Sequence, residues 1–162
     1  MTPEIRERAE QPYVAIRAHV TMQEIGAFAG RHGDVFGWLA AHELRPAGPP
    51  FFRFNVIDMD RQLEMEAGVP VQAVIDGDDQ VRAGVNPAGR YATVTHVGPP
   101  ESLVGATAAL LAWAAQQGLH WDMTIREDGE HWGARLENYL TDPREQPDMT
   151  KWETELAFRL AD

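Results

Sequence analysis

The chain has 162 residues, 44% of them hydrophobic, which suits one domain with a substantial core. It has no cysteine, which excludes disulfides and thiolate metal sites. The 25 acidic and 14 basic residues leave a formal charge of −11, and the basic residues form no stripe, so direct binding to nucleic acid or anionic lipid is not expected.

Residues 1–10 are polar and read as a short lead-in; Met1 to Arg8 has no apolar run of the signal-peptide kind. Tyr13 to Val20 alternates and carries β-branched residues, so a strand is expected. Thr21 to Glu24 has capping-box spacing, and Ile25, Phe28, Ala29, Phe36, Leu39 and Ala40 follow at helical period. Gly30, Gly33 and Gly37 weaken that helix, with a break expected near Gly33 and Asp34 capping the second piece. Phe51 to Val56 and Gln62 to Val69 read as strands. Asp76 to Gln80 is an acidic, turn-rich connection, and Gly84 to Gly89 reads as a turn.

The pattern then starts again. Gly89 to Val97 reads as a strand, Pro99-Pro100 opens a helix, and Leu103, Thr107, Leu110, Leu111 and Ala114 form its apolar face up to Gly118. Trp121 to Arg126, Trp132 to Leu140 and Trp152 to Leu160 read as strands, the first two around a turn at residues 127–130. Strand–helix–strand–strand thus appears twice, over about residues 12–72 and 89–160, within one domain spanning 1–162. Two such halves sharing a sheet would leave a cleft between them, and such seams are common ligand sites. No stretch approaches the ~18 apolar residues of a membrane helix.

Specific stretches now carry a resemblance. Gly89-Arg90-Tyr91 and His96-Val97-Gly98-Pro99-Pro100-Glu101-Ser102-Leu103 resemble the strand-to-helix junction of the GyrI-like family. Glu137-Asn138-Tyr139-Leu140-Thr141-Asp142-Pro143, then Pro147-Asp148 and Trp152-Glu153-Thr154-Glu155-Leu156, are similar to its C-terminal signature, and Glu66 to Val71 to a strand end. The resemblance implies an α+β fold: duplicated modules, an antiparallel sheet and two main helices on one side. It also implies a drug or metabolite site built on aromatics and one acidic residue. Family members serve as effector-binding parts of AraC-type and multidrug-responsive regulators or stand alone, and some stand-alone members hydrolyse cyclopropane-bearing electrophiles. No helix-turn-helix segment precedes residue 12, a departure from the regulators.

The resemblance makes Glu137 the acidic site residue, and strand alternation puts Arg135, Glu137 and Tyr139 on one face. Among aromatics the carboxylate would be partly desolvated and a usable base, with the Tyr139 phenol as hydrogen-bond donor; a solvated strand glutamate, or a partner of Arg135, is the plain alternative. Of the five tryptophans, Trp38 is chosen for its place in the family's helix and Trp132 for its proximity to Glu137, although alternation puts Trp132 on the opposite face. Trp113 and Trp152 are expected in the core. Phe52 and Phe54 share one strand face, with Phe51 on the other, and either line the cleft or fill the core. Met65 is a further lining candidate on a face, with Leu63 and Ala67, more often given to core.

The six histidines lack metal-ligand spacing, Ser102 sits in no nucleophile elbow, and no phosphate loop is present, so neither metal nor cofactor is expected. The expected protein is a cytoplasmic monomer or homodimer that binds lipophilic aromatic or cationic small molecules. A cofactor-free hydrolase, with Glu137 activating water and Tyr139 assisting the leaving oxygen, is the alternative from the same cleft. An inhibitor-type interaction protein is the third reading.

Overall fold

The computed structural model describes residues 2–58 and 60–162. Its strands are β1 (Glu4–Arg8), β2 (Gln11–Val20), β3 (Phe51–Ile57), β4 (Leu63–Pro70), β5 (Arg82–Asn86), β6 (Gly89–Val97), β7 (Met123–Arg126), β8 (Gly129–Trp132), β9 (Arg135–Tyr139) and β10 (Glu153–Arg159). Helices α1 (Ile25–Phe28) and α2 (Arg31–Ala41) lie between β2 and β3, and α3 (Leu103–Gln116) follows β6. All strands join one antiparallel sheet in the order β1-β6-β10-β9-β3-β4-β2-β5, with the β7–β8 hairpin attached to β3. The chain's two halves meet at the β9–β3 seam, where Phe52 stands opposite Glu137 and Arg53 opposite Leu136.

The strand alternation sorts side chains onto two faces. Val14, Ile16, Phe52, Met65, Ala67, Leu156 and Phe158 pack with Val35, Trp38 and Leu39 of α2 and Leu103 and Leu110 of α3 in one core, so both main helices cover the same face. The other face carries a smaller layer of Tyr13, Ala15, Phe51, Tyr91, Leu136 and Ala157. Glu66 is buried on that face, where it accepts from the Tyr13 hydroxyl at 2.7 Å and from Asn55 Nδ2 at 3.2 Å, with Arg17 and Arg53 nitrogens at 3.6 and 3.8 Å. Among the described residues no helix is long and apolar enough to cross a membrane.

Several elements differ from expectation. The lead-in contains β1, which pairs with β6; its side chains are mostly exposed, so it bears no hydrophobic pattern to read. The stretch read as a turn at 84–89 begins inside β5, which pairs with β2. Gly84 serves there to admit the Tyr13 ring, since a Cβ would sit 2.5 Å from Tyr13 Cζ. β1 and β5 are thereby exchanged: each borders the first long strand of the opposite half. The helical break falls at Ala29–Gly30, and Asp34 lies in the first turn of α2, bonded to Arg31 Nε at 2.7 Å, rather than capping it. The capping box at Thr21–Glu24 is present and opens a short 3₁₀ turn.

The strand expected from Trp132 to Leu140 is interrupted at Gly133–Ala134, where Asp122 occupies the space a Cβ on Gly133 would need. Trp121 precedes β7 and makes only an isolated bridge to Leu160. Trp152 precedes β10, half-buried, its indole N–H bonded to Gln146 O at 2.7 Å.

Gly68, inside β4, lies under the fully buried Phe51 ring, and a Cβ there would meet Phe51 Cζ at 2.5 Å. Gly68→Ala is expected to destabilise the protein by about 1–3 kcal/mol, the range for overpacking a dense core, although alanine is ordinarily the better strand residue of the two. Urea unfolding of the two proteins measures it.

Candidate functional site

Glu137 lies on the helix-covered face of the sheet, directly between Phe52 on β3 and Leu156 on β10. The position is one that the core would ordinarily give to an apolar side chain. Tyr139, two residues on, donates its hydroxyl to Glu137 Oε1 at 2.7 Å. Among the described residues Oε2 has no hydrogen-bond partner, and Arg135 Nε is the only fully buried side-chain polar atom without one, so Oε2 keeps contact with solvent. Burial pushes the carboxyl's pKa up, against the opposing effects of the Tyr139 hydrogen bond and the Arg135 charge. Burial and the adjacent carboxylate likewise hold the Tyr139 phenol well above its ordinary value, so it stays a donor.

Aromatic rings enclose this pair. Phe52, only 4% exposed, stacks on Phe28 at 5.6 Å and meets Tyr139 edge-on at 5.5 Å and Phe54 at 6.3 Å. His32 completes the wall: its ring stacks on Phe52 at 5.0 Å and approaches Tyr139 edge-on at 6.1 Å. His32 Nε2 lies 2.8 Å from Phe51 O and Nδ1 3.2 Å from Ala29 O, ties that fix the start of α2 on the sheet. Burial lowers its pKa despite these carbonyls. Sequence reasoning considered the histidines only as metal ligands; the helical break at Gly30, which starts a new turn beside β3, was the available signal.

Arg135 begins β9 on the same face. Its guanidinium carbon stands 4.7 Å from the Trp132 ring centre, 4.6 Å from that of Phe158 and 6.0 Å from that of Phe54. Trp121 backs this group, 5.6 Å from Trp132 and 5.8 Å from Phe158. The interruption at Gly133–Ala134 resets the alternation, so Trp132 shares the core of Glu137's face instead of opposing it.

Other expected lining residues are placed elsewhere. Trp38 is 6% exposed, stacks on His42 at 4.0 Å and donates its indole N–H to Asp78 Oδ2 at 2.8 Å, pinning the acidic connection to α2. Its partners are thus Asp78 and His42 rather than Glu137 or Tyr139. Met65, opposite Phe54 in the β3–β4 register, is fully buried and packs as core. Trp113 is partly buried against the core, as expected.

Two clefts open nearby. One of about 500 Å³ is lined by Ile57, Asp58, Leu111, Ile125, Glu130 and Arg135 among others. Another of about 490 Å³ lies on the helix-free face, against Phe51, Tyr91, Leu136, Asn138 and Glu155. Glu137 lines neither; it is the next same-face residue along β9 from the Arg135 wall of the first.

A family model described as a GyrI-like small molecule binding domain matches residues 1–161. Among solved structures, EcmrR in a complex with DNA superposes with a TM-score of 0.80 at 17% identity; the match covers 99% of this chain but 57% of that one. SAV2435 bound to tetraphenylphosphonium gives 0.68 at 14% identity, covering 99% and 94%. A hydrolase from Listeria innocua gives 0.58 at 18%, covering 98% and 91%. These are likenesses of fold. A comparison with curated proteins gives no match.

Because burial raises the Glu137 pKa, the neutral carboxyl contributes stability that is complete below the ordinary carboxylate range and lost as pH rises through the folded-state value. Glu137→Gln keeps an acceptor for Tyr139 and removes the charge. It is expected to match wild type near pH 4 and to become the more stable protein as pH rises to about 8. Denaturant midpoints across that interval measure the difference.

Proposed function

Because the chain belongs to the GyrI-like small-molecule binding domain family, we propose that it binds bulky, lipophilic aromatic compounds, cations above all, as one ligand-binding unit acting in drug sensing, sequestration or detoxification. The observation that carries this reading is the Glu137 carboxylate: placed among Phe52, His32 and Tyr139, hydrogen-bonded on Oε1 and open on Oε2. Such a group costs free energy when empty and regains it from a cation that brings its own apolar surface. A relative in fold, SAV2435, is bound to tetraphenylphosphonium, a ligand of this chemistry. The −11 charge of the chain adds a field that attracts cations and repels nucleic acid.

A second reading uses the same pair as a catalyst. Glu137, with its pKa raised, takes a proton from water as the water oxygen bonds to a ring carbon and the ring C–C bond breaks; the electron pair moves to the oxygen of a carbonyl conjugated with the ring, where Tyr139, a donor at 2.7 Å to Glu137 in the free protein, supplies a hydrogen bond and to which the proton is finally delivered. The substrate class is a strained, electrophilic cyclopropane opened by addition of water, and a hydrolase is among the relatives in fold. Incubation with such an electrophile is expected to give a water adduct by mass, faster than without protein and at least about 10²-fold slower with Glu137→Gln. Equal rates with and without protein would sink this reading and leave the binder.

The binding reading is tested with ions of one shape and opposite charge. Calorimetric titration is expected to show tetraphenylphosphonium bound more tightly than tetraphenylborate, and Glu137→Gln to weaken the phosphonium by about 1–3 kcal/mol while leaving the borate unchanged or tighter. Equal affinities for the two ions, unmoved by the substitution, would contradict it.

A further inference from the structure

Arg135 is held in an unusual way. Its guanidinium sits in the wedge between the Trp132 and Phe158 rings, at 4.7 and 4.6 Å, with the rings inclined at 64° and their centres 5.8 Å apart. Among the described residues no hydrogen bond or ion pair reaches it, and its Nε is buried without a partner. Among the described residues the buried charges of the opposite face are answered: Glu66 has Tyr13 and Asn55, and Arg53 has Asn55, Asn86 and Gly133 O. The Nε–H donor is thus stripped of hydration, which stacking on two rings does not replace, while the terminal nitrogens keep contact with solvent in the cleft.

The wall that Arg135 forms separates a surface cleft from Glu137. On the outer side lie Ile57, Leu111 and Ile125, apolar, with the carboxylates of Asp58, Glu127 and Glu130. On the inner side, at the next same-face position of β9, lies Glu137, and the charge of Arg135 already acts on its proton affinity. Ile125 is 76% exposed on the cleft's hairpin, an uncovered apolar surface at its mouth.

Resting on the reading of this protein as a binder of aromatic cations, we infer that Arg135 is a resident cation occupying the aromatic subsite beside Glu137, that the cleft outside it is the entrance, and that an incoming lipophilic cation binds by displacing the guanidinium. The displaced side chain regains hydration and meets the rim carboxylates, of which Glu130 already accepts the Trp132 indole N–H at 3.1 Å. The ligand's charge then sits between Trp132, Phe158 and Glu137. The arrangement sets specificity as well as access: a guest must carry a positive charge, because a neutral one takes from Glu137 the coulombic support of Arg135 and puts no charge in its place. A guest must also carry aromatic surface, because a hydrated inorganic cation cannot replace the stack.

Two measurements test this. Arg135→Met fills the wedge without charge and is expected to bind tetraphenylphosphonium at least about tenfold more tightly than wild type, a change of about 1.4 kcal/mol. In the unmodified protein, the Arg135 Nε–H proton resonance, shifted by the flanking rings, is expected to move toward the free-arginine position as tetraphenylphosphonium is added. This second readout needs no variant to fold. Unchanged or weaker binding by Arg135→Met, with the Arg135 resonance unmoved at saturation, would overturn the inference and leave the binder reading intact if Glu137→Gln still weakens the phosphonium. Failure of the phosphonium to bind either protein would overturn both.

Discussion

A carboxylate on the apolar face of the sheet is the constraint around which the molecule is arranged. Glu137 occupies the β9–β3 seam between Phe52 and Leu156, where the alternation of two strands would otherwise bury a hydrocarbon. Ionised carboxylates are admitted to such places only with partners. The contrast with Glu66 is instructive. That glutamate, buried on the opposite face, is met by the Tyr13 hydroxyl, Asn55 and two arginines, and reads as a closed structural network tying β2, β3 and β4. Glu137 receives one phenol, and the nearest guanidinium on its own strand is turned into an aromatic wedge instead of onto it. One face of the sheet resolves its buried charge internally; on the other, Glu137 keeps a single hydrogen-bond partner among the described residues.

The fold exists to hold that seam. The two halves contribute β3 and β9, and the exchange of β1 and β5 across the halves prevents the seam from being a simple abutment. Helix α2 is set on the sheet through His32, whose nitrogens reach Phe51 O and Ala29 O while its ring forms part of the wall around Tyr139. Trp38, one helical stretch further, pins the acidic connection by its bond to Asp78. The aromatic residues thus divide between those that fix the frame and those that face the charge.

Much of this was legible in the sequence. The periodicity of β2, β4, β6 and α3, and the capping and proline signals at helix starts, follow from side-chain patterning that burial enforces on one face. Edge strands escaped: β1 is exposed on nearly all its residues, so nothing in its pattern required a sheet, and β5 hid behind a glycine that accommodates Tyr13. The shared face of Arg135, Glu137 and Tyr139 was readable from alternation alone, because β9 is regular. The side of Trp132 was not, since an interruption at Gly133–Ala134 depends on where Asp122 packs, a long-range contact with no local signature. Trp38 and Met65 illustrate the same limit: residue type marks a side chain as large and apolar, but only tertiary register decides whether it meets the charge or the core.

The central claim is that Glu137 is a partly desolvated carboxylate whose missing partner is the ligand. Its titration, followed through the side-chain carboxyl carbon by NMR, tests this most directly. The account predicts a free-protein pKa above that of an exposed glutamate, which falls when tetraphenylphosphonium is bound, because the cation stabilises the charged form, with proton release into solution at intermediate pH. A pKa in the ordinary range that does not respond to the cation would contradict it.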